Sequence, residues 1–195
     1  MRHAITFLAA LPLAGCISFG AEPPPALLTL ETRAELPVGE VRRAEGGSAV
    51  TVLSLTTPQS LSTTRVPVQA TPTTIAYVEE AQWTEQPSRL FARLLGDTIA
   101  ARTGRVVLGN GQALTDPGTR LGGELRRFGL DATTREAVVT FDAQVVRGEA
   151  QVVEKRRFEA RAPIGGEIGA ATAAASLNDA ANRVAAEVAD WVGGR

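Results

Sequence analysis

Few side chains in this 195-residue chain could do covalent chemistry: there is one cysteine, Cys16, and one histidine, His3. A thiol nucleophile or a serine triad needs a positioned base, usually an imidazole. His3 lies in a short basic head, Met1-Arg2-His3, and a lone cysteine cannot close a disulfide within the chain. The usual zinc ligands are missing for the same reason. Carboxylates remain: Glu79, Glu80 and the nearby Glu85 could share acid–base work. Adjacent residues of a strand point to opposite faces, however, so the pair reads as a solvated strand end. Gly109-Asn110-Gly111 follows a strand as a phosphate loop would. It lacks the later glycines, the lysine and the helix, and reads as a turn. Lys155-Arg156-Arg157 alternate across a strand and are flanked by Glu154 and Glu159, which makes a solvated face of them. No catalytic residue, metal ligand or cofactor is expected. Lys+Arg 20 against Asp+Glu 21 gives net charge −1, too little for a field that gathers nucleic acid.

The position of Cys16 explains it. Ala4 to Ala14 form an apolar core of roughly ten residues, too short to span a bilayer but suited to an export signal. Leu13-Ala14-Gly15-Cys16 at its end resembles the lipobox of bacterial lipoproteins, in which small residues admit the peptidase and the thiol accepts lipid. Residues 1–15 then read as signal peptide, and cleavage leaves Cys16 first in a chain without histidine. Each buried methylene contributes about 0.8 kcal/mol, so several acyl chains hold firmly. Ile17, in place of aspartate after the cysteine, implies sorting to the outer membrane by resemblance to Gram-negative lipoproteins. Residues 16–26, with Pro23-Pro24-Pro25, form a semi-rigid tether reaching ~30 Å at most. The covalent lipid on Cys16 is the only non-protein group expected.

The folded part, residues 27–193, reads as one domain. Short β-branched runs predict strands at 27–31, 49–55 and 74–80, with a short edge strand at 65–68 in a proline-punctuated stretch. Leu90, Phe91, Leu94, Leu95 and Ile99 recur at helical spacing, with Pro87 at the entry and Gly104 past the end, predicting a helix over 88–102. Strands follow at 105–109 and at 120–130, the latter weakened by paired glycines. Residues 136–146 alternate cleanly, with Ala137, Val139, Phe141, Ala143 and Val145 on one face, and pair with 151–162 as a hairpin. An alanine-rich amphipathic helix spans 167–192, with Glu167 complementing its dipole. The sum is α/β: a single-domain mixed sheet packed with two main helices.

The order of Arg65, Tyr77, Trp83, Pro87, Leu90 and Leu94, then Leu121, Leu125 and Phe128, then the hairpin and a helix ending in Trp191, resembles the ABC-type transport auxiliary lipoprotein family (PqiC-like). The resemblance covers essentially the whole mature chain and implies an anticodon-binding-domain-like sandwich. It implies a non-enzymatic subunit anchored in the outer membrane and facing the periplasm. The implied partners are an MCE-family periplasmic protein with an ABC permease and ATPase, in a system that moves lipid between membranes; self-association into a homo-oligomer is compatible with it. A structural or assembly lipoprotein of the envelope is the alternative. Tyr77 and Trp83 read either as staples for the following helix or as interface anchors. Arg65 either meets an acidic partner or caps an edge strand.

Overall fold

A computed structural model of the chain describes residues 26–45, 47–111, 118–148 and 152–194. Cys16, the signal segment and nearly all of the tether lie outside the described residues. The elements in order are β1 (Val50–Val52), a 3-10 turn (Gln59–Leu61), β2 (Arg65–Thr71), β3 (Thr74–Gln82), α1 (Pro87–Thr103), β4 (Val107–Gly109), β5 (Thr119–Asp131), β6 (Glu136–Arg147), β7 (Val152–Pro163) and α2 (Ala170–Gly193). This is a mixed α/β single domain, as the periodicities predict.

The central strand is β5. Along its whole length it pairs antiparallel with β6, which pairs in turn with β7. Its other side is shared: its start runs parallel to β1, and its end runs parallel to β2. β4 extends the sheet beyond β1, and β3 extends it beyond β2. Gly123, one of the paired glycines expected to weaken this strand, and Gly129 beyond the pair instead permit its crowding. Gly123, at φ +144°, would drive a Cβ to within 2.1 Å of the Asp142 carbonyl oxygen, and a Cβ on Gly129 would meet the Pro67 carbonyl at 2.5 Å. An irregularity between Leu125 and Arg127 shifts the alternation by one. Leu121 and Leu125 therefore point inward before it, and Phe128 and Leu130 after it.

Both helices cover the same face of the sheet. Leu90, Phe91, Leu94, Leu95 and Ile99 of α1 are buried, as their spacing requires, and Phe91 packs edge-on against Phe141 at 5.4 Å between ring centroids. Gly104 in the left-handed conformation closes α1, its N–H bonded to the Ala100 carbonyl at 3.0 Å. α2 lays Leu177, Ala181, Val184 and Val188 on β6 and β7. It begins three residues later than predicted. Thr172 Oγ1 accepts the Gly169 N–H and donates to the Glu167 carbonyl, so the backbone of Glu167, rather than its charge, serves the helix start.

Two further expectations need correction. Residues 27–31 form no strand; only Leu28 bridges to Trp83, because the chain then leaves the sheet for α2. The 65–68 segment is no edge: β2 lies between β3 and β5, and Pro67 sits beside an irregular stretch of the β2–β3 pairing. Among the described residues, no helix is long and apolar enough to cross a membrane.

Candidate functional site

The chain enters the domain through a strap, residues 28–33. Its first residue joins the sheet: Leu28 N–H donates to the Gln82 carbonyl at 2.7 Å, and Leu28 O accepts from Thr84 N–H at 2.9 Å. Two asparagines one turn apart on α2 then grip its backbone. Asn178 Oδ1 accepts the Glu31 N–H, while Asn182 Oδ1 accepts the Arg33 N–H and Nδ2 donates to the Glu31 carbonyl, each at 2.9 Å. Arg33 adds a 2.6 Å ion pair with Asp179. Asn182 is buried and satisfied, so removing its amide would strand backbone groups at a cost of about 1–3 kcal/mol. In the sequence these residues are only polar interruptions of an alanine-rich helix. No local signal reveals that they hold a segment 147 to 151 residues away.

Beside the strap lie the three residues singled out as interface candidates, and the structure separates them. Arg65 stacks its guanidinium on the Tyr77 ring at 4.1 Å from the centroid. Arg65 is exposed and Tyr77 half-buried, so the stacked pair forms a surface feature across β2 and β3. Trp83, in contrast, is 1% exposed and packs edge-on against Phe128 at 5.5 Å. At that depth the indole is part of the hydrophobic core and offers no exposed surface in this chain. Its Nε1 has no hydrogen-bond partner among the described residues.

The carboxylates do not converge. Glu79 and Glu80 are both exposed at a break in the β2–β3 pairing, where Glu80 takes a left-handed φ of 53°. Glu85 is committed to Arg93 at 2.6 Å. That ion pair rims an open groove of about 710 Å³ between α1 and the carboxyl ends of β1 and β4. Ala92, Leu53, Leu55 and Val107 lend it apolar walls. Asp97 also lines it, and burial holds its carboxyl above the ordinary range against the opposing pull of Arg93. Gly109 ends β4 beside the groove, Asn110 lines it, and Gly111 is the last described residue before residue 118. Among the described residues no group of three or more His, Cys, Asp or Glu could hold a metal ion. What the arrangement offers is recognition: a stacked arginine, a groove and a strapped entry point.

The family model for the ABC-type transport auxiliary lipoprotein component matches residues 29–189. None of the curated proteins matches the chain. Among solved structures, it is similar to a protein from Xanthomonas campestris assigned to the DUF330 family. The two share 17% identity over 85% of this chain and 93% of that one, with a TM-score of 0.71. A second neighbour, described as an uncharacterized protein, shares 12% identity over 78% of this chain and 96% of that one, with a TM-score of 0.66. At such identities the likeness is one of fold.

Proposed function

Because the chain belongs to the ABC-type transport auxiliary lipoprotein component family, we propose that it is the outer-membrane-anchored, non-enzymatic subunit of an MCE-type intermembrane lipid transport system. The observation that carries this reading is the match of the family model over nearly the whole folded domain. In this reading, acyl chains on Cys16 hold one end of the chain in the outer membrane, and residues 16–26 are the tether. The strap gripped by Asn178 and Asn182 fixes where that tether meets the body. The body docks on an MCE-family periplasmic protein, which works with a permease and an ATPase. Arg65 and Tyr77 supply an exposed stacked pair for that docking, since arginine and aromatic side chains dominate interface energetics. With no imidazole after processing and no converging carboxylates among the described residues, the work assigned to the body is binding.

The test has two arms. Mass spectrometry of the processed protein should find a triacylated Cys16 at the N-terminus. Crosslinking in cells, followed by purification of the tagged lipoprotein, should recover the MCE-type partner, and Arg65→Ala with Tyr77→Ala should cut recovery about tenfold at unchanged thermal stability. An unmodified thiol, or a pull-down that never contains the partner while the lipoprotein is abundant and folded, would overturn the assignment.

A further inference from the structure

Three strand edges of the sheet are unpaired among the described residues, and two of them are blunted. β4 is three residues long. β3 is broken around Glu79 and Glu80, and its end is occupied by Leu28. The third edge, β7, is twelve residues long, and its pairing with β6 runs unbroken from Arg147↔Val152 to Glu136↔Pro163. A long regular edge is a template for another strand unless something covers it.

The direction of its backbone groups can be read from its end. Ile164 donates its N–H to the Arg135 carbonyl, so even-numbered residues of β7 turn their peptide groups toward β6. The odd-numbered residues then turn theirs outward. Consistently, the carbonyls of Arg161 and Pro163 accept from Arg183 and Ser176 of α2. The open stretch is therefore Val153 to Glu159, with the backbone groups of Lys155, Arg157 and Glu159 facing solvent.

We infer that this edge binds the same edge of a second copy of the chain, antiparallel about a two-fold axis through Arg157. Strands paired in this sense place residues whose numbers sum to 314 opposite one another. Lys155 then faces Glu159 of the partner subunit, twice by symmetry. Arg156 faces the partner's Phe158, repeating between chains the stacking of Arg156 over Phe158 seen within one at 4.8 Å. Arg157 opposes its own copy, but each is neutralised by a bidentate bond to its own Asp142, at 2.5 and 2.7 Å. Shifting the axis by one residue, to Phe158, would set Arg157 against Glu159 but also Lys155 against Arg161, twice each, and shifting it to Arg156 would set Lys155 against Arg157 and Arg156 against its own copy. Charge selects the Arg157 register. Lys155 has no ion-pair partner among the described residues, and an isologous contact would supply one.

Lys155 is the only lysine in the chain, which makes the test direct. The full chain as cells process it, mixed from light and heavy isotope cultures, should form mixed dimers in native mass spectrometry at tens of micromolar. A zero-length carbodiimide should join Lys155 of one copy to Glu159 of the other; four residues apart on one strand, the two cannot be joined within a chain. Lys155→Glu should weaken the dimer at least tenfold. Lys155→Arg should keep the dimer and abolish the crosslink. A monomer under these conditions, a Lys155 crosslink only to other carboxylates, or a dimer indifferent to Lys155→Glu would each overturn the proposal.

Discussion

The two faces of the β5–β6–β7 sheet are held by different forces. On the helix side, Leu125, Phe128, Phe141, Val145 and Phe158 are buried against α1 and α2 with aromatic rings in edge contact. On the opposite side the same strands carry a lattice of charge. Asp142 joins Arg157 and Arg126, and Arg161 joins Glu136 and Glu159. Burial of apolar surface contributes about 25 cal/mol per Å² whatever the partner, whereas exposed ion pairs contribute about 0–1 kcal/mol each. One face therefore supplies stability. The other supplies register and solubility, and leaves its edge free to recognise something else.

Breaking the inner face should have the largest effect. Phe128→Ala removes a ring that touches both Trp83 and Phe91, and should cost about 3–5 kcal/mol in chemical denaturation. A loss below about 1 kcal/mol would mean that the core is not organised around these rings.

Where the two faces share backbone, the effect should be intermediate. Gly123→Ala forces a side chain into a left-handed φ and against the Asp142 carbonyl, and should cost about 2–3 kcal/mol although no contact is removed. Wild-type stability in this variant would show that β5 and β6 can separate locally.

On the outer face the effect should be smallest and pH-dependent. The hydrogen bond from Arg157 holds the Asp142 carboxyl below its ordinary 3.8. A carboxylate lowered in the folded state contributes stability above its unfolded value, and loses it as pH falls through the folded one. Asp142→Asn should therefore cost less than about 1 kcal/mol at pH 7, with the difference shrinking in high salt and vanishing once the pH has fallen past the lowered folded-state value of the carboxyl. A gap that persists in acid would place the role of Asp142 in packing and not in charge.

The inner face is legible in the order of residues alone. The alternation of Ala137 to Val145 and the helical recurrence of Leu90 to Ile99 are statements about which residues must leave water, and each lands on the buried side. Local periodicity also locates both helices to within a few residues, and proline and glycine punctuate α1. The outer face and the edges are not legible in this way. In sequence Arg65 and Lys155 are alike in being exposed cations on strands. The first stacks on Tyr77, and the second stands on an open edge, because of how β2 and β7 are neighboured. Trp83 carries two readings for the same reason: its depth depends on Phe128, 45 positions away, packing against it.

Residue types and their spacing were enough to determine a single α/β domain in which a mixed sheet packs with two main helices. Those features depend on local sequence: which side chains avoid water and where the backbone turns. The tertiary structure alone decided that β5 rather than a flanking strand is central, that Asn178 and Asn182 grip the entering strap, and that β7 is the long unbroken edge. Each of these joins segments far apart in the chain, and no pattern within one segment records which distant partner closes the loop.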